Sequence, residues 1–176
     1  MRWILQSRRI LAVAIVGLAL SVVTETAVLA ASITNSGKAV TAVRTATDNS
    51  DYFTASTTPV DMPSMSVSVS VPSNQKAILV ITFSAQSHCT TASGAFCWVR
   101  VIVDGSSASP GDIAFGSGVI SNFSSQAWQA NSMQFTAGPL ASGSHTVSVK
   151  WWESDDDGQG DFRVESRTLT VLRSRV

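Results

Sequence analysis

The stretch Glu153 to Asp161 reads ESDDDGQGD, five acidic residues and two glycines within nine positions. Hard cations take six to eight oxygen ligands, and carboxylates on a glycine-flexible turn supply several. Glu153, Asp155, Asp157 and Asp161 are therefore the candidate metal ligands, with calcium the ion. The EF-hand pattern is not met. The aspartates alternate only once, and no glutamate closes the loop at its twelfth place. A solvated hairpin end accounts for the same residues, because Asp and Gly suit turns and charge near exposed edges resists aggregation. The hairpin end is the preferred reading, so no cofactor is expected and calcium stands as the alternative.

Catalytic constellations are sparse. The chain has two histidines, His88 and His145, and lacks both a G-x-S-x-G elbow and an H-E-x-x-H motif. Both histidines read as hydrogen-bonded structural residues, so no catalytic residue is assigned. Four tryptophans follow the N-terminal segment: Trp98, Trp128, Trp151 and Trp152. Adjacent residues on a strand face opposite ways, so one of Trp151 and Trp152 is core and the other is available to a ligand. Trp152 and Trp128 are the candidate ligand-binding aromatics. Arg100 shares a face with Trp98 and Ile102. It reads first as a stem packed along the sheet or a cation–π partner of a tryptophan, and second as an anchor for a carboxylate or a sugar hydroxyl.

These residues sit on a chain built to leave the cytoplasm. MRWILQSRR is basic, Ile10 to Val23 is apolar apart from one Gly and one Ser, and AVLAAS offers the small residues a signal peptidase selects. The apolar run is shorter than the ~20 residues that span a bilayer. Residues 1–31 are expected to be a signal peptide, with an uncleaved anchor as the alternative. Ser7-Arg8-Arg9 partly resembles a twin-arginine signal. The whole chain carries 12 basic and 12 acidic residues. Removing Arg2, Arg8, Arg9 and Glu25 with the signal leaves 9 against 11, a net charge near −2. Such a surface attracts neither nucleic acid nor anionic membrane. Cys89 and Cys97, an even pair in an exported chain, read as a disulfide.

The elements that must position these groups are strands. Ser64 to Val71 (SMSVSVSV) alternates with period two between Pro63 and Pro72, which suit strand ends. Ala77 to Ala85 is apolar on both faces through Ile81, as a central covered strand would be. Phe96 to Val103 is a strand ended by Asp104-Gly105, and Asp112 to Phe115 is a weaker one. Gln126 to Phe135 alternates loosely, and TAGPLASG after it reads as a turn region. Ser144 to Trp152 alternates cleanly. In the last strand Phe162 and Val164 are even but Leu169 and Val171 odd, which requires a bulge near Ser166. Lys38 to Thr47 and Tyr52 to Ser56 are two further candidates. About eight short strands with turn signals predict an antiparallel β-sandwich of jelly-roll type. Residues 32–63 form its N-terminal segment and 64–176 its core, 32–176 making one domain.

Several pieces together carry a resemblance: ITFSAQSHC, FCWVRVIVDG, PGDIAF, LASGSHTVSVKW and RTLTVL. The chain resembles, over roughly residues 64–172, small exported bacterial β-sandwich domains, with strand signatures similar to C1q/TNF-like jelly rolls. The resemblance implies the fold and export and supplies no catalytic residues. It also implies that a homo-oligomer, a trimer, is worth testing. Fold-level likeness does not deliver function. The functional expectation is a secreted, non-catalytic binding or surface-interaction module, its partner a polysaccharide or another protein. The alternatives are a secreted jelly-roll hydrolase acting on carbohydrate and a self-assembling structural subunit.

Overall fold

The computed structural model describes residues 38–90, 95–117, 128–154 and 160–176. None of these is helical. Ten strands form: β1 (Val40–Asp48), β2 (Tyr52–Thr54), β3 (Val60–Val71), β4 (Ala77–Thr90), β5 (Phe96–Val103), β6 (Ser106–Ser107), β7 (Ile113–Ser117), β8 (Gln129–Leu140), β9 (Gly143–Glu153) and β10 (Asp161–Arg175). The signal-peptide reading falls on residues outside those described.

All strand pairs are antiparallel and make two sheets. The first has the order β1-β10-β4-β8, with β2 also on β10. The second has the order β3-β9-β5-β6, with β7 also on β5. Without the short β2 and β6, eight strands alternate between the sheets as β1-β10-β4-β8 and β3-β9-β5-β7. That is jelly-roll connectivity, so the expected fold class holds, with two more strands than anticipated.

The core follows from alternation. Leu79, Ile81 and Phe83 of β4, Leu169 and Val171 of β10 and Phe135 of β8 point inward from the first sheet. Val99 and Val101 of β5 meet them from the second, with Val147, Val149 and Trp151 of β9. The Cys89–Cys97 disulfide joins β4 to β5, and so one sheet to the other. It packs on Gly116, where an added Cβ would lie 2.9 Å from Cys89 Cβ.

Four local expectations are corrected. β3 starts at Val60, so Pro63 lies within it. A register shift between Asp61 and Ser66 and a positive φ at Ser64 (62°) make a bulge that accommodates the proline on this edge strand. β4 is central, but on its outer side only Ile78 is buried while Val80, Thr82 and Ser84 are half-buried. TAGPL is strand, because β8 continues to Leu140 through a second register shift. The strand count is ten. The bulge near Ser166 is where the phase slip puts it, between Glu165 and Thr168, with Ser166 at φ 46°.

Candidate functional site

On β5 and β9 the odd-numbered residues fill the core, so the even ones form the outer face of the second sheet. Register then decides who meets whom. Trp98 stands opposite Trp152, and Arg100 opposite Lys150. Asp61 of β3 stands opposite Lys150 on its other side. The loop before β7 brings Asp112 against Arg100.

The result is a row of charges crossing the sheet: Asp61, Lys150, Arg100, Asp112. Lys150 Nζ lies 2.7 Å from Asp61 Oδ1. The Arg100 guanidinium donates to both carboxylate oxygens of Asp112, with Nη2 to Oδ2 at 2.6 Å. Asp112 raises the Arg100 pKa above its ordinary value, chiefly through that hydrogen bond. The planar fork is thereby fixed in orientation. Arg100 also lies over Trp152, 5.2 Å from the ring centroid.

Next to the charges runs an aromatic row. The Trp98 and Trp152 planes are nearly parallel, 11° apart, with centroids at 6.3 Å. Phe96 adds a ring 5.6 Å from Trp98. Trp151 is core, as one of the adjacent pair had to be. Trp152 is on the outer face, yet only 8% exposed. Arg100 and Trp98 cover it, so the rings offered to a ligand are half-buried Trp98 and exposed Phe96.

The remaining candidates lie elsewhere. Trp128, at 42% exposure, immediately precedes β8 of the first sheet and sits 5.7 Å from the His88 ring. Asp155 and Asp157 fall outside the described residues. Asp161 is ion-paired with Arg163 at 2.8 Å and bonded to Thr90. Glu153 is fully buried. Among the described residues no three His, Cys, Asp or Glu side chains converge as metal ligands.

This row is not arranged for hydrolysis by paired carboxylates. Asp61 lies on β3 and Asp112 just before β7, so their backbones are three interstrand spacings apart, about 14 Å. Acid and base across one glycosidic bond work at up to about 9.5 Å. The row itself offers a fixed guanidinium, carboxylate lone pairs and an aromatic shelf.

No protein family matches the sequence, and no curated protein matches it either. Solved structures share the outline at a distance. One is the CBM36-1 domain of a multidomain xylanase from the hindgut metagenome of Trinervitermes trinervoides, at 10% identity over 74% of this chain and 96% of that one, TM-score 0.35. Another is the infectious bursal disease virus Gx strain structure, at 16% over 77% of this chain and 36% of that one, TM-score 0.36. A third is dimeric latent PorU from Porphyromonas gingivalis, at 12% over 82% and 14%, TM-score 0.37. Likenesses this remote carry no argument about function, which must come from the side chains.

His145 has a structural place at one end of the sandwich. Its Nδ1 faces Asp104 Oδ2 at 2.6 Å and its Nε2 faces the Ala141 carbonyl at 2.9 Å. Both neighbours are acceptors, so the ring is best satisfied when both nitrogens carry protons. The bond to Asp104 accordingly raises the His145 pKa above 6.5, and the same bond lowers that of Asp104. The raised pKa sets the sign. His145 stabilises the fold fully below its ordinary pKa, and that contribution is lost as pH rises through the folded-state value. Thermal melts between pH 5.5 and 9 should show His145→Gln costing most at the acid end, with the gap in Tm closing as pH rises. A gap that is constant across that range would remove the imidazolium from the account.

Proposed function

We propose that this chain is a secreted, non-catalytic binding module that holds a hydroxyl-rich ligand, a polysaccharide, on the outer face of its second sheet. The observation that carries this reading is the exposed Phe96 (39%) beside half-buried Trp98, with Arg100 fixed alongside by Asp112. An exposed aromatic next to a second ring is unusual without a partner, since aromatic surface is concentrated where binding occurs. Sugar rings present C–H faces to aromatic shelves and hydroxyls to charged hydrogen-bonding groups. Arg100 and Asp112 neutralise each other, and so do Lys150 and Asp61, so the face suits an uncharged ligand better than an ion.

Retardation of the native chain in gels containing soluble polysaccharides tests this. Phe96→Ala and Trp98→Ala should each weaken retention about tenfold, with Phe96→Ala leaving Tm nearly unchanged because its ring is exposed. Retention equal to the parent in both variants would sink the reading, as would a parent chain that no polysaccharide retards.

A further inference from the structure

We infer that the outer face of the first sheet is a second, independent binding surface, and that its ligand is a neutral polysaccharide chain. This goes beyond the site on the second sheet and does not rest on it.

Register builds the surface. Thr45, Thr170, Thr82 and Gln134 stand in line across β1, β10, β4 and β8. Thr47, Thr168, Ser84 and Ser132 form the next line. Of the residues between them, Leu169 and Phe83 are buried, and Ala46 and Met133 are partly buried against the core, so both lines face outward. Every one of these eight side chains is exposed or half-buried. Thr47 and Thr168 hydroxyls lie 3.4 Å apart across the strands.

The eight positions hold no ionisable group. Strand propensity accounts for threonine on a wet face. It does not account for the uncharged Thr45 and Thr47 on edge strand β1, where charge usually protects the edge.

One end of the face is aromatic. Phe53 and His88 flank Arg163 in the ladder, and Trp128 lies beside His88. Phe53 and Trp128 are the two most exposed aromatic rings among the described residues, at 64% and 42%. Arg163 lies over Phe53 and is held by Asp161 and Asp51, so its charge is answered within the protein. Glu165, opposite Gln86, is the acidic residue between this end and the hydroxyl lines. The balance disfavours a polyanion, and the hydroxyl lines give a polycation nothing to pair with.

A neutral glycan matches what is left. Hydroxyls and an amide both donate and accept, as sugar hydroxyls do. Exposed rings receive the C–H faces of the sugar. Four strands span about 14 Å, enough for a short run of sugar units. The two outer faces point in opposite directions, so one molecule can hold two chains at once, and linkage raises apparent affinity without new contacts.

The test uses the full chain in gels containing hydroxyethyl cellulose or dextran, with carboxymethyl cellulose as the charged comparison. Thr82→Lys puts a cation at the centre of one line, and Trp128→Ala removes an exposed ring that the fold does not need. Each should reduce retardation by the neutral polymers at least fivefold, with unchanged circular dichroism and Tm. Phe96→Ala should leave that part of the retention in place, and Phe96→Ala with Trp128→Ala should abolish it. Parent-like retardation of both Thr82→Lys and Trp128→Ala overturns the inference. So does a parent chain retarded only by carboxymethyl cellulose, or by none of the three. If Phe96→Ala alone removes all retention, only the second-sheet site stands. If Thr82→Lys alone removes it, only this one does.

Discussion

Arg167→Ala should destabilise the domain by about 2–4 kcal/mol, because it empties the space of a fully buried side chain and removes its hydrogen bond to Ser50. Arg167 is 0% exposed. Its Nη2 lies 2.9 Å from Asp48 Oδ2, and its Nη1 donates to the Ser50 carbonyl at 2.6 Å. The guanidinium also sits 4.4 Å from the Tyr52 ring centroid. One side chain on β10 thus holds the end of β1, the turn after it and the start of β2. The bulge at Ser166 makes this possible, since the extra residue turns Arg167 inward where strict alternation would have turned it out. Whole-domain stabilities are about 5–15 kcal/mol, so the loss should be plain in a urea titration. Arg167→Met should cost less, because the stem still packs on Tyr52. An alanine variant within about 1 kcal/mol of the parent would show that the guanidinium is not what ties these segments together.

The same cluster gives the acid limb of the stability profile a defined shape. Asp48 is held down to about 2 from 3.8, first by the Ser50 backbone N–H, then by the Ser64 and Ser50 hydroxyls, with Arg167 contributing. A depressed carboxylate stabilises the fold above its ordinary pKa, and that stability is lost as pH falls through the folded-state value. Between pH 3.8 and about 2 the parent should therefore lose stability faster than Asp48→Asn, which has no proton to take up there.

Period-two alternation made much of this legible. A strand with one dry face cannot change phase silently, so the shift from Val164 to Leu169 located the bulge. Parity also placed Trp98, Arg100 and Trp152 on the outer side. It could not say what lies across from them. The Arg100–Asp112 pair depends on how the chain returns through β6 and β7, and the Asp61–Lys150 pair on a bulge in β3. Burial of Trp152 is hidden for the same reason, because its cover comes from a neighbouring strand. TAGPL reads as a turn because Gly138 and Pro139 are turn-favouring residues, although the strand passes through them at a register shift. The hydroxyl lines are not visible along the chain, since each strand contributes two ordinary residues and only the pairing assembles them.

Trp151 and Trp152 are neighbours in sequence, and the sheet gives them opposite fates, so their alanine variants should diverge. Trp151 is 2% exposed, stands between Val60 and Val99 in the ladder and lies 5.4 Å from the Phe162 ring of the facing sheet. Its removal leaves a dry cavity between the sheets, where Trp→Ala changes cost about 3–5 kcal/mol. Trp152 is covered by Arg100 and Trp98 from the solvent side. There water refills the space, so the cavity penalty is absent and the cost should be less than half that of Trp151→Ala. What Trp152→Ala loses is the surface beneath Arg100, so the guanidinium gains freedom and the aromatic shelf loses its inner ring. Urea titrations of the two variants beside their polysaccharide retention separate these effects. Trp151→Ala should fail by unfolding, and Trp152→Ala should stay folded while binding weakens. Equal destabilisation by the two would mean that Trp152 is core in all but its direction, and the second-sheet face would then have to work through Phe96 and Trp98 alone.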